Sequence, residues 1–408
     1  MMESSNFRTE MSASLVRTTQ AALAEIFQKR SPHQHEPSIR PTRLKSLPRA
    51  VNRHRDRWLV EANLITIEPP AKTSVPVGTQ HWLLSGNPRL AKLVTAAIGN
   101  RWIEHVEELE QLTPIADDPL FQSHWQRVKL ANKQALAQSL KRSQGIEIDV
   151  NSLFDLHLQP IGAHHRQLLN ILHIINLVDR LKQSPGSQIC PRTFIFGEPV
   201  PSPALEPTTA ADEELNRSII ELIRSLAKII AADRDVCKKL QVVYIPAATG
   251  LAHQLYAAAD VTEQIATATL ADIDLTKIQA TINGVISIGS LEKTNYWLQQ
   301  IVGEDNCFRF GLAIPEIALF KEYGYDPHNY YKHYPQIRQA IDYLLAGYFN
   351  PSEPSLGRSI VNTLLGADEQ MVMADYIFYA ACQAHVSDTY EQPSLWTQMS
   401  ILNVAGVR

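Results

Sequence analysis

Cysteine is scarce in this chain: Cys190, Cys237, Cys307 and Cys382 are the only four among 408 residues. They lie far apart and form no CxxC pair, which argues against a zinc site or a disulfide framework and fits a reducing, cytoplasmic compartment. Long apolar runs are lacking too. Stretches such as Leu168 to Val178 are interrupted by Asn170, His173 and Asn176 and fall short of the roughly 18 to 20 residues that a membrane span needs. Met1 to Gln28 carries scattered charges and no apolar core, so neither a signal peptide nor membrane attachment is expected. No glycine-rich phosphate loop and no internal repeat is present.

What is present is an uneven charge distribution. Between Lys29 and Arg57 there are nine Lys/Arg against two acids, Glu36 and Asp56, a local +7 in a chain of net charge −4, so the remainder carries −11. Pro32, Pro37, Pro41 and Pro48 punctuate the same stretch and oppose a compact core. Residues 1–75 therefore read as a short helix near Ser12 to Gln28 followed by a basic, extended arm, less ordered than the rest. The arm is either a solvated linker or a docking segment for an acidic partner. Nucleic acid is disfavoured, because Trp58 is its single aromatic stacking face and the rest of the chain is acidic.

Over residues 76–408, short apolar runs alternate with helical patterns, the signature of an α/β domain with a mainly parallel sheet. Strands are expected at Trp82 to Leu84, Leu153 to Leu158, Thr193 to Phe196, Val242 to Ile245, Val285 to Ile288 and Phe308 to Phe310. Helical spacing links Leu168, Ile171, Leu172, Ile175 and Val178, and again Leu215, Ile219, Leu222, Ile223, Leu226 and Ile230. The second of these helices opens on Asp212, Glu213 and Glu214, acids where the helix dipole favours them. A third helix should begin at Pro335 and bury Ile337, Ile341, Leu344, Leu345 and Tyr348. In such a sheet a ligand sits at the carboxyl ends of the strands, where the loops after Leu158, Phe196, Ile245 and Ile288 converge.

Several ordered blocks carry a family resemblance. Asn151-Ser-Leu-Phe-Asp155 leading to His165-Arg-Gln-Leu-Leu-Asn170 resembles the N-S-L-F-D strand and K-R-Q-L-L-N helix of the glycogen (α-glucan) phosphorylases. The similarity continues through Pro191-Arg-Thr193, Ala258-Ala-Asp-Val-Thr-Glu-Gln-Ile265, Ile282-Asn-Gly284, Phe308-Arg-Phe-Gly311, Gly324-Tyr-Asp-Pro327 and Ala374-Asp-Tyr376. Upstream, Trp82-Leu-Leu-Ser-Gly-Asn-Pro-Arg-Leu-Ala91 is similar to the opening of that family's C-terminal domain. The resemblance implies a single Rossmann-like GT-B C-terminal domain behind the basic arm. It also implies the family's chemistry, transfer of a glucosyl unit from an α-1,4-glucan to phosphate with a pyridoxal phosphate cofactor.

That chemistry needs a lysine for the Schiff base, close backbone approach to the cofactor phosphate, and cations for the substrate phosphate. The family places the lysine in E-A-S-G-T-G-N-M-K, just before its L-N-G block. The same interval here reads Ala271-Asp-Ile-Asp-Leu-Thr-Lys-Ile-Gln279, which puts Gln279 at the Schiff-base position. Lys277, two residues earlier, is a weak substitute: two residues turn a helical side chain by about 200°, or displace it by roughly 6 to 7 Å on a strand. Asp272, Asp274 and Thr276 replace residues around the cofactor phosphate, and two acids there repel a dianion. The family's K-R pair is His165-Arg166, its E-N-Y-R loop falls at Pro246, Ala247 and Ala248, its G-G-K turn is Gly197-Glu198-Pro199, and its D-G-A-N is Glu292-Lys-Thr-Asn295.

Arg166 is the candidate anion-binding residue; its other reading is a helix-end arginine paired with an acid such as Asp155. His157, His164 and His165 suit a metal poorly, since adjacent helical side chains diverge by about 100°. Glu263 reads as an ion-pair member ahead of a general base. No catalytic residue, no metal and no pyridoxal phosphate is expected. The chain reads as a non-catalytic phosphorylase relative with a binding or regulatory role, having a protein partner or self-association and, as a further ligand, glucan. The alternatives are a divergent phosphorylase using Lys277, or another GT-B glycosyltransferase.

Overall fold

The computed structural model describes residues 79–198, 209–246, 248–266 and 275–407. The basic arm expected over residues 1–75 lies outside them. The described chain comprises a large unit, 79–314 with 326–407, and a short segment, 315–325.

Among the described residues three α-helices precede the sheet: α1 (Thr79–Gly86), α2 (Pro88–Ile98) and α3 (Pro119–Gln144). Proline opens α2 and α3, where its missing N–H costs nothing, and the preceding Asn87 and Asp118 side chains accept from Leu90 N and Phe121 N. The strand expected at Trp82 to Leu84 is instead part of α1. Three apolar residues carry no period of their own, and here Leu83 inserts into a cluster with Leu90, Val94, Trp102 and Trp125, which a helix presents to best effect.

The core alternates strand and helix: β1 (Leu153–Leu158), α4 (Gln167–Gln183), β2 (Arg192–Gly197), α5 (Ala210–Ala232), β3 (Leu240–Ile245), α6 (Ala252–Ala258), β4 (Val261–Gln264), α7 (Leu275–Ile282), β5 (Ile286–Ser290), α8 (Lys293–Val302) and β6 (Phe308–Phe310). The six strands pair in parallel in the order β3-β2-β1-β4-β5-β6, an open doubly wound sheet of the Rossmann-like GT-B kind. Strand β4 was not anticipated. Its sequence, Val-Thr-Glu-Gln, has a single apolar residue, yet all four are buried.

Because β1 and β2 are covered on both faces, their residues read as continuous buried runs. Phe154, Leu156, Leu158 and Ile195 pack with Leu136 and Leu140 of α3 and Leu255 of α6. Asp155, His157, Arg192 and Phe194 take the opposite face, toward His173 of α4. Helix α5 opens with a reciprocal cap between Thr209 and Asp212, as its acidic start suggested.

The chain finishes in helices α9 (Ile314–Tyr323), α10 (Pro327–His333), α11 (Pro335–Leu345), α12 (Ser355–Leu365), α13 (Val372–Tyr390) and α14 (Pro393–Ala405). Helix α11 begins at Pro335 and buries Ile337, Ile341 and Leu344, but Leu345 and Tyr348 are each 39% exposed. The helix ends at Leu345, so the expected stripe cannot continue past it. No helix among the described residues is long and apolar enough to cross a membrane.

Candidate functional site

In this strand order the chain reverses direction across the sheet between β1 and β4, and the crevice at their carboxyl ends is the natural ligand position. Here the crevice is filled by the protein's own polar side chains. Gln159, just past β1, donates its amide to Gln264 Oε1 at the end of β4 (3.1 Å), and both residues are buried. Asn295 of α8 donates to the Gln264 and Ser290 carbonyls, both at 2.9 Å. It can lie this close because Gly289 has no side chain: a Cβ there would stand 2.6 Å from the Asn295 amide.

Lys277 completes the network. It sits in the first turn of α7, is 4% exposed, and donates to Asn295 Oδ1 at 3.0 Å and to Thr294 Oγ1 and Glu292 Oε1. The Thr294 hydroxyl in turn donates to Glu292 Oε1 (2.6 Å). An ammonium group has three N–H donors, and these three acceptors use all of them. To form an imine the amine must lose a proton, leave the Glu292 carboxylate and abandon three hydrogen bonds in a site that water does not replace.

Gln279 lies on the same helix, half-buried, and a carboxamide forms no imine. Helical geometry separates its direction from that of Lys277 by about 200°. The residues present therefore fit an aldehyde cofactor poorly. Asp272 and Asp274 lie outside the described residues, while Thr276 is half-buried.

Of the other positions singled out in the sequence, Arg166 and Glu198 are likewise engaged in the fold. Arg166 is 2% exposed and forms an ion pair with Asp375 of α13, so its acid is Asp375 and not Asp155. Asp375 also accepts from Leu312 N at 2.7 Å, close against Gly311, whose φ of +95° and lack of a Cβ admit the carboxylate. Arg166 itself has φ +56°, an uncommon conformation for a side-chain-bearing residue. A buried, neutralised guanidinium offers little attraction to a ligand anion.

His157 is buried with its ring stacked on Phe196, whereas His164 is exposed beside Gln370. Among the described residues no group of three or more His, Cys, Asp or Glu is placed to hold a metal ion. Glu198, in the turn after β2, accepts from Tyr244 Oη at 2.7 Å. Ala248 is buried and Pro246 exposed, while Ala247 and Pro199 lie outside the described residues.

Two features escaped sequence reasoning. Glu292 and Thr294 are fifteen and seventeen positions beyond Lys277, and only the turn from β5 into α8 brings them to it. Asp155, Arg192 and Glu263 form a second buried polar cluster between the sheet and α13. The one available signal was Asp155, a charge inside the expected strand Leu153 to Leu158; Arg192 and Glu263 lie outside the expected strands.

The comparison with known proteins agrees with the architecture. The carbohydrate phosphorylase family model matches residues 71–408. The glycogen phosphorylase of Synechocystis sp. is 34% identical over 330 residues, which is 81% of this chain and 38% of that protein. The muscle form of glycogen phosphorylase from Oryctolagus cuniculus is 34% identical over 327 residues, and the brain form from Ovis aries 32% over 327, each covering 80% of this chain and 38% of the relative. The matched stretch thus spans a little over a third of the length of these relatives. On this coverage the chain belongs to the carbohydrate phosphorylase family.

Proposed function

We propose that this chain is a phosphorylase-fold protein that does not bind pyridoxal phosphate covalently and acts by binding, with a protein partner or glucan as its ligand. The observation that carries the reading is the saturated ammonium of Lys277, held by Glu292, Thr294 and Asn295. Gln279 at the position that the resemblance assigns to the Schiff-base lysine supports it. So does the pairing of Arg166 with Asp375, which leaves the candidate phosphate cation already neutralised. The link to glucan metabolism rests on identity to glycogen phosphorylases. Fold membership alone does not decide activity, because one fold hosts many functions.

The test is phosphorolysis. Purified protein supplied with glycogen, inorganic phosphate and pyridoxal phosphate should release no glucose 1-phosphate. Release above a heat-denatured control, abolished by Lys277→Met, would overturn this reading in favour of a divergent phosphorylase built on Lys277.

A further inference from the structure

Away from the crevice, three ionisable groups are shut together against the inner face of the sheet. Asp155 on β1 and Glu263 on β4 share that face, because Asp155 is in register with Val261 and Glu263 lies two residues further on. Arg192 on β2 is in register with Leu153 and points the same way. All three are buried, at 1%, 0% and 2% exposure. Arg192 donates to Asp155 Oδ2 (3.2 Å), to Gln383 Oε1 and to Ser387 Oγ (3.2 Å). Glu263 Oε1 accepts from Tyr379 Oη (2.9 Å) and from Gln383 Nε2 (2.7 Å).

The charges in this cluster do not balance if both carboxyls are ionised. Two carboxylates would face one guanidinium, and an unmatched charge in a solvent-free site is costly. Nor do the groups facing the cluster from α4 and α13 supply the missing cation. On α4, His173 is driven by burial and by Arg192 to a pKa of about 3, so it is neutral. On α13, Tyr379 and Cys382 are pushed upward by burial and stay neutral. His157 on β1 is stacked on Phe196. Asp260 at the foot of β4 has its own cation in Lys133, 2.5 Å away.

The oxygens tell the same story. Asp155 Oδ1 and Glu263 Oε2 receive no hydrogen bond from another donor among the described residues, and the two carboxyls share one face of the neighbouring strands β1 and β4. We propose that Asp155 and Glu263 hold a single proton between them, carried by Glu263 and donated to Asp155, so that one negative charge faces Arg192. Glu263 is the carrier because its other oxygen accepts only from neutral donors, whereas Asp155 has the guanidinium beside it. Burial raises both carboxyls above the usual range; the Asp155 charge raises Glu263 further, while Arg192 and the bond from Glu263 pull Asp155 back. The pair titrates as a unit.

The sign of the linkage follows. In the unfolded chain both carboxyls ionise near pH 4, whereas the folded protein keeps one proton to higher pH. The stability this site contributes is complete below the unfolded value and is lost as pH rises toward the folded one. The folding equilibrium constant falls by about tenfold per pH unit for that one proton.

Glu263→Gln isolates the effect, since the glutamine carbonyl can accept from Tyr379 and Gln383 while its amide donates to Asp155. Urea unfolding of the full chain between about pH 5 and 8 should show the variant gaining on the wild type by up to about tenfold in folding constant per pH unit. A wild-type to variant ratio that does not change with pH would overturn the proposal. Asp155→Asn combined with Glu263→Gln removes both carboxyls, and with them the one negative charge facing Arg192 that either single variant can still supply, so it should lose far more than the two single changes together; additive losses would count against it. If the variants do not fold, infrared spectroscopy of the wild type decides: a protonated-carboxyl band shielded from solvent exchange is expected at neutral pH, and its absence would refute the shared proton.

Discussion

A buried lysine faces a carboxylate at each end of the central strands, at the amino ends of β1 and β4 and at the carboxyl ends of β4 and β5, and the two closures are built differently. At the amino end, Lys133 of α3 pairs with Asp260 (2.5 Å) and donates to the Ser152 carbonyl (2.8 Å), with the Phe154 ring 4.5 Å away. Asp260 also accepts from Phe154 N at 2.7 Å, so this closure stitches three distant chain segments together. At the carboxyl end, all three acceptors of Lys277 come from a single turn, residues 292–295. In doubly wound folds ligands bind at the carboxyl ends of the strands and the amino ends are left to structure. A saturated lysine at the carboxyl end therefore gives the ligand side of this sheet the character of its structural side, which is the physical basis for reading the chain as non-catalytic.

That comparison orders the mutational effects. Asp260→Ala strands Lys133 in the core without its carboxylate and should cost about 3 to 5 kcal/mol in urea unfolding at neutral pH. Glu292→Gln keeps an oxygen acceptor, and Thr294 and Asn295 continue to receive Lys277, so the loss should be smaller, about 1 to 3 kcal/mol. Equal losses would show that the two ends are equivalent structural joints. A carboxyl-end change without effect would show that the Lys277 pair does not hold the fold, and would weaken the claim that it is committed to structure.

Much of the sheet was legible because its strands are apolar enough to be recognised by composition: Leu153 to Leu158 and Phe308 to Phe310 form strands with the expected bounds. Strand β4 was invisible for the opposite reason. Thr262, Glu263 and Gln264 look like surface residues, and only their pairing with β5 and the partners from α13 make burial affordable. Trp82 to Leu84 failed as a strand because a short apolar run has no period to distinguish sheet from helix. At the site, the sequence alone could name Gln279 and Lys277 but not what Lys277 touches. For Arg166 it offered an anion ligand or an acid such as Asp155, when the partner is 209 residues away at Asp375. Side-chain pairing across the fold is a tertiary property, and one sequence carries little local signal of it.

The most direct test of the central claim is to locate pyridoxal phosphate on the protein, if it binds at all. The full chain and its Gln279→Lys variant are incubated with the cofactor, reduced with borohydride and digested, and every pyridoxyl-lysine is quantified by mass spectrometry. Scattered, substoichiometric labelling of exposed lysines is expected, with Lys277 unmodified in the wild type and no stoichiometric label at position 279 in the variant. One pyridoxyl group per chain at Lys277, or at position 279 of the variant, would contradict it.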